Sequence, residues 1–466
     1  MRNYNMISSF AEYEMQNTSK NSLKSDISFP ISENIRKGAY IYEKPRRTHL
    51  VEEGNEPIKG ETTICYGKKH TNLFALVFSI AVVLILAIIA GLNFASSTNY
   101  TTFYRFSGVA SADEKKPYKS MVVIEPNSKC VLESFNENEK LPMASTTKIM
   151  TAIIAIENNA DLTKVVPAPR EAVGIEGTSI YLRENEELSI KDLLYGLILA
   201  SGNDSASALA IITSGSEDAF VQLMNDKVAE LGLKDTHFTN PHGLHDDNHY
   251  TSALDLAKIT AYALQNDVFR EIVATKRHTI AETKFTKERY LKNKQKLLFD
   301  EELNSGELQI TGVKSGFTPE AGRCLVTSGY KGNMNAICVV FNCPDMFEES
   351  KDLIQKALNG YVYEQIIEPY DYLSTLSVID GDIASINVFS ESGFSYPIKK
   401  DEKIEIKTYL EYPKEIYAPI SENQEIGKVL VCINGEEKFS APIKSMENVK
   451  NTNYKKIAKG LIEEFI

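Results

Sequence analysis

The tetrad Ser145-Thr146-Thr147-Lys148 sets a hydroxyl and an amine at i and i+3, a spacing that shares one face of a helix. A serine hydroxyl becomes a nucleophile when a neighbouring base takes its proton, and an unprotonated lysine can do this without a histidine. The start of a helix suits the step, because free backbone N–H groups there favour developing negative charge. The apolar residues that follow, Ile149, Met150, Ile153 and Ile154, bury the helix and so favour a desolvated Lys148 whose amine is neutral. Alone the tetrad is a weak signal, since Ser328-Gly329-Tyr330-Lys331 repeats its spacing.

Two downstream triplets change its weight. Ser201-Gly202-Asn203 and then Lys314-Ser315-Gly316 follow in the order expected of serine acyl-transferases with S-x-x-K, S-x-N and K-[TS]-G boxes. At this point the chain resembles the penicillin-binding proteins, specifically the low-molecular-mass serine-type D-alanyl-D-alanine carboxypeptidases. The runs GTSIYLRENEELSIKDLLYGLILASGNDSASALA, FTNPHGLHDDNHYTSALDLAKITAYAL and TGVKSGFTPEAGRCLVTS carry the likeness, which extends from about Pro117 to Glu447.

The resemblance implies a division of labour. Ser145 attacks the carbonyl between two terminal D-alanines and becomes the acyl-enzyme, with Lys148 as its base. Ser201 relays a proton towards the leaving D-alanine, and Asn203 hydrogen-bonds the substrate backbone or Lys148. Lys314 meets the terminal carboxylate, Ser315 adds a hydroxyl where threonine is usual, and the backbone N–H groups of Ser145 and Phe317 form the oxyanion hole. The implied partners are peptidoglycan stem peptides ending in D-Ala-D-Ala and β-lactam inhibitors, with no cofactor.

Three competing readings are weaker. His242, His245 and His249 with Asp246 and Asp247 suggest a metal, but the spacing is not H-E-x-x-H and Pro241 and Gly243 imply a loop, so no metal is expected. A β-lactamase of class A needs a glutamate for deacylation; Glu301-Glu302-Leu303-Asn304 is one residue short of E-x-x-L-N. A non-catalytic wall-binding protein has no need of Ser145, Lys148, Ser201 and Lys314 together.

The elements that must position these boxes read as an α+β domain. Met121-Val122-Val123-Ile124 and Cys130-Val131-Leu132 flank a Pro126-Asn127-Ser128 turn, helical periodicity dominates from Ser145 to about Thr275, and three strands lie from Leu308 to the NMNAICVVFN run. A closing helix is expected near Phe347 to Ile366. The whole predicts an antiparallel sheet flanked by helices, of the β-lactamase and penicillin-binding-protein type. Beyond it comes a small C-terminal β-rich domain with an Asn434-Gly435 hairpin turn.

Residues 73–92, LFALVFSIAVVLILAIIAGL, form an uncharged stretch of 20 residues, long enough to cross a bilayer as one transmembrane helix. Lys59, Lys68 and Lys69 precede it and only Arg105 stands in the matching window beyond, which places the N-terminus in the cytoplasm and the catalytic domain outside the cell membrane. Ala95-Ser96-Ser97 leaves signal-sequence cleavage as the alternative. The expected organisation is then a polar cytoplasmic tail (1–72), the span (73–92), a stalk (93–116), the catalytic domain (117–370), the β domain (371–447) and an amphipathic terminal helix (448–466). In that helix Tyr454, Ile457, Ala458, Leu461, Ile462 and Phe465 make one stripe, suited equally to protein or lipid.

Composition adds bounds. With 466 residues, 43% of them apolar, the chain can bury a large core, and a net charge of −12 argues against a nucleic-acid partner. Five cysteines fall beyond the span, an odd number without a C-x-x-C pair; Cys324 and Cys338 flank one hairpin, and a bridge between them is the less favoured outcome.

Overall fold

The computed structural model describes residues 58–63, 116–452 and 454–464. The expected span at 73–92, with nearly all of the tail and stalk, lies outside the described residues. No described helix is long and apolar enough to cross a membrane.

Near-continuous apolar runs, buried on both faces, build the central sheet, with successive side chains pointing to opposite sides. Its strands lie in the spatial order Val131–Phe135, Ser120–Ile124, Met334–Phe341, Gly322–Lys331, Leu308–Thr318, all antiparallel. Met121, Val123, Leu325, Cys338 and Val340 point to one face, where the helix Met346–Gly360 covers them with Leu353 and Ile354. Val122, Ile124, Val326, Val339 and Phe341 point to the other face and join the helical block. Two strands, a block of helices, three strands and a helix is the order anticipated from the sequence.

The block centres on the helix Lys148–Glu157, in which every residue but Glu157 is buried. Around it pack Asn203–Ser214, Glu217–Glu230, Ala253–Ala263 and Asp267–Ala274. Ser216, Ser252 and Asn266 cap three of these by accepting first-turn N–H groups. Leu308–Thr318, which carries the third box, is the edge strand, so its outer side is free to face the nucleophile turn rather than another strand.

The C-terminal domain holds an antiparallel six-stranded sheet in the order 58–63, 406–412, 425–433, 436–445, 385–389, 372–377. Its core is Ile386, Val388, Val429, Val431 and Ile443. Asn434 and Gly435 both have positive φ, the backbone a two-residue hairpin requires, as expected. Cys130 Sγ lies 3.1 Å from Tyr396 Oη and joins the two domains.

Two expectations need revision. The closing helix stops at Gly360 rather than Ile366, because the β-branched and aromatic run Tyr361–Ile367 pairs with Phe394–Lys399. Ile58–Thr63, read as part of the polar tail, forms a strand against Ile406–Tyr412. Cys324 and Cys338 share a hairpin without a bridge, the outcome the sequence favours: Cys338 sits opposite Thr327 and the two thiols join different cores.

Candidate active site

The nucleophile turn is set by its neighbours. Ala144–Thr147 is a tight single turn running into the helix at Lys148, and Ala144 takes the left-handed conformation, φ 47°. Thr147 Oγ1 donates to the Ala144 carbonyl at 2.8 Å and lies 2.7 Å from His249 Nε2. Because His249 Nδ1 accepts the Thr239 N–H at 3.0 Å, the ring proton stands on Nε2 and is directed at Thr147. Burial holds His249 down at about 4, neutral at working pH.

Lys148 is fully buried and has three polar neighbours. Its Nζ lies 2.7 Å from Asn203 Oδ1, 2.5 Å from the His242 carbonyl and 3.0 Å from Ser145 Oγ. A neutral amine has two N–H groups and one lone pair. Two carbonyl oxygens take the N–H groups, and the lone pair is left for the Ser145 O–H. Asn203 cannot turn its amide round, because its Nδ2 donates to the Glu176 carbonyl. Burial first, then the positive charges of Lys314 and Lys294, push the Lys148 amine well below its ordinary value, against a smaller opposing pull from Asp204.

The second box follows a wide turn, Gly196–Ala200, of π-helical form that delivers Ser201 at φ 63°. Ser201 Oγ accepts from Lys314 Nζ at 2.9 Å, and the same ammonium donates to the Ser315 carbonyl at 2.7 Å. Lys314 is buried and held near 7, chiefly by burial and then by Lys294. Two bonds leave it one N–H for a ligand oxygen.

Gly316 permits the edge strand to close on the nucleophile. A Cβ there would stand 2.9 Å from Ser145 N and 3.1 Å from Thr146 N, so the strand just before Phe317 lies against the backbone amides of the Ser145 turn. The Phe317 ring is exposed beyond them. Across the turn, Gly243 has φ 87°, and a Cβ would fall 2.0 Å from the Ala144 oxygen. The structure thus gathers the side chains of Ser145, Lys148, Ser201, Asn203 and Lys314 at one site, with Ser315 joining through its carbonyl. Ser328 and Lys331, on a strand, are left out.

Several contributors carried no signal in the boxes. Lys294 acts on both buried lysines, Lys148 and Lys314, through its charge. The Asp204 carboxylate is fully buried, accepts Ile180 N, Leu182 N and Ser179 Oγ, and so fixes the loop beside Ser201. Arg289 pairs with buried Glu186 at 2.7 Å and donates to the Ile180 carbonyl. Two of the histidines reach the site through other groups: His242 gives its carbonyl to Lys148 and His249 its ring to Thr147; among the described residues there is no cluster of three His, Cys, Asp or Glu side chains.

Comparison with known proteins supplies independent evidence. A family model described as D-alanyl-D-alanine carboxypeptidase matches residues 109–345, and one described as the penicillin-binding protein 5 C-terminal domain matches 361–451. The chain is 32% identical over 362 residues to the D-alanyl-D-alanine carboxypeptidase DacF of Bacillus subtilis, covering 76% of this chain and 91% of that protein. It is 30% identical to the D-alanyl-D-alanine carboxypeptidase DacC of Escherichia coli, covering 72% and 85%. Among solved structures, penicillin-binding protein 5 of Haemophilus influenzae is similar with a TM-score of 0.62 and 31% identity, covering 72% of this chain and 98% of that one.

Proposed function

The chain belongs to the D-alanyl-D-alanine carboxypeptidase family of serine-type, penicillin-binding peptidases, and on that premise we propose that it removes the terminal D-alanine of peptidoglycan stem peptides through a Ser145 acyl-enzyme. The observation that carries the residue assignment is the three-way partnership of Lys148, which leaves a lone pair directed at Ser145 Oγ. Lys148 takes the Ser145 proton as the oxygen attacks the penultimate carbonyl. The tetrahedral oxyanion lies between the N–H groups of Ser145 and Phe317. Lys314 holds the terminal carboxylate, and its bond to Ser201 sets that hydroxyl to give its proton to the departing D-alanine amine and regain the one that Lys148 took; water then hydrolyses the acyl-enzyme and restores Ser145, with neutral Lys148 again as base. Asn203 keeps Lys148 in place. β-Lactams present the same reacting carbonyl and stop at the acyl-enzyme. Incubating the ectodomain with a peptide ending in D-Ala-D-Ala and measuring free D-alanine tests the reading: no release from folded protein contradicts it.

The membrane tether is the second part of the proposal. The uncharged run 73–92 and the lysines before it support one crossing with the catalytic domain outside. The terminal helix Tyr454–Glu464 exposes Leu461 and Ile462, an apolar stripe free to rest on the lipid surface. A crossing at 73–92 puts residues 58–63 on the far side of the bilayer, so it and the strand pairing of 58–63 with 406–412 exclude each other in one molecule. Protease added to intact cells separates them: the tether requires loss of the catalytic domain and survival of a small membrane-bound N-terminal fragment.

A further inference from the structure

Tyr181 is a large aromatic residue held in a conformation that disfavours it, with its ring in solvent. Its φ is 61° and it is 76% exposed. Most of the non-glycine residues with positive φ among the described ones are Asn or Asp, which tolerate that backbone; the exceptions are Lys129, Ala144, Tyr181, Ser201 and Tyr370. Lys129 sits in a hairpin turn, and Tyr370 stacks on Phe389. Ala144 and Ser201 belong to the catalytic turns.

Nothing inside the described fold rewards Tyr181. Its ring stacks on no other, and its hydroxyl bonds to no described residue. Yet the backbone around it is fixed at every peptide. Ile180 N and Leu182 N donate to the buried Asp204 carboxylate, Tyr181 N donates to Ser179 Oγ at 2.8 Å, and the Ile180 carbonyl accepts from Arg289 Nε. The same loop supplies the Glu176 carbonyl to Asn203 Nδ2 and the Thr178 carbonyl to Asn203 N. Strain of this kind persists where surrounding structure over-determines it, and it clusters at ligand clamps.

We propose that Tyr181 is a substrate-contacting residue whose ring packs against the stem peptide on the acyl side of the scissile bond. This rests on the carboxypeptidase reading and deepens it, by assigning recognition of the peptide beyond D-Ala-D-Ala to a residue outside the three boxes. An aromatic ring suits that role, offering a broad contact face at low cost in side-chain freedom.

The test exploits the backbone. Glycine adopts positive φ freely, so Tyr181→Gly removes the ring and relieves the strain together. The measured quantity is the ratio of kcat/KM for a full stem pentapeptide to that for a minimal acyl-D-Ala-D-Ala. A clamp predicts that Tyr181→Gly keeps a thermal midpoint at or above the native one while the ratio falls roughly tenfold, mostly through KM, and that Tyr181→Phe restores it. A ratio within about twofold of native in Tyr181→Gly overturns the proposal. Failure of the native protein to release D-alanine from either substrate would instead strike the carboxypeptidase reading, and this inference with it.

Discussion

Lys314 Nζ and Ser201 Oγ lie 2.9 Å apart, joining the cation of the third box to the hydroxyl of the second. A carboxylate arriving at the remaining N–H of Lys314 therefore docks on the group that orients Ser201. In the proposed mechanism, substrate capture and protonation of the leaving amine then share one ammonium. On the other side of the cleft Lys148 is committed to Ser145 and Asn203. The two lysines do different work.

That division is testable by paired substitution. Lys148→Ala is expected to lower the acylation rate by about 10² to 10⁴-fold with the fold intact, the size of a lost general base. Lys314→Ala is expected to act chiefly on KM. Near-native acylation by Lys148→Ala, followed with a labelled penicillin, would require another base.

The pH profile follows from the two shifted lysines. Lys148 must be neutral, so activity rises as pH climbs through its lowered pKa; Lys314 must be charged, so activity of the free enzyme falls as pH passes about 7. Lys294 depresses both. Lys294→Gln removes that charge, both values rise, and both limbs of the kcat/KM profile move to higher pH. Limbs that stay in place would show that Lys294 does not tune the pair.

What the sequence made legible and what it hid divide along chain separation. Ser145 and Lys148 lie within one turn, and the other two boxes carry their own local wording, so five side chains of the site could be named before any fold was known. Lys294 sits in an ordinary basic run, and only the fold brings its charge to the cleft. The bond from Thr147 to His249 and the pair Glu186–Arg289 each join residues about a hundred positions apart. Periodicity identified the two strands, the helical block, the three strands and the closing helix, because each buries one face. It overran that helix by six residues at Gly360, where the aromatic and β-branched run has strand partners only the C-terminal domain supplies.

Gly316→Ala probes the closeness of strand and nucleophile. The added methyl meets backbone nitrogens at 2.9 and 3.1 Å, atoms that cannot swing aside. Moving the edge strand away from Ser145 by a fraction of an ångström should cost about 10²-fold in kcat, with little loss of thermal stability. A kcat within about twofold of native would mean that the strand closes differently.

Arg289→Met tests the brace behind the Tyr181 loop. Removing the guanidinium leaves the Glu186 carboxylate buried with only the Thr283 and Thr286 hydroxyls and the Arg183 N–H as partners. Such a change typically costs about 3–5 kcal/mol. Urea unfolding should show a loss of that order, and a midpoint equal to native would show the charge to be relieved by solvent.

The central claim, that Ser145 is the acylated nucleophile, is tested most directly by the site of covalent attachment of a labelled penicillin. Mass spectrometry of the digested ectodomain should place the adduct on the peptide containing Ser145, and Ser145→Ala should abolish it. An adduct on any other residue, or none on folded protein, would contradict the account.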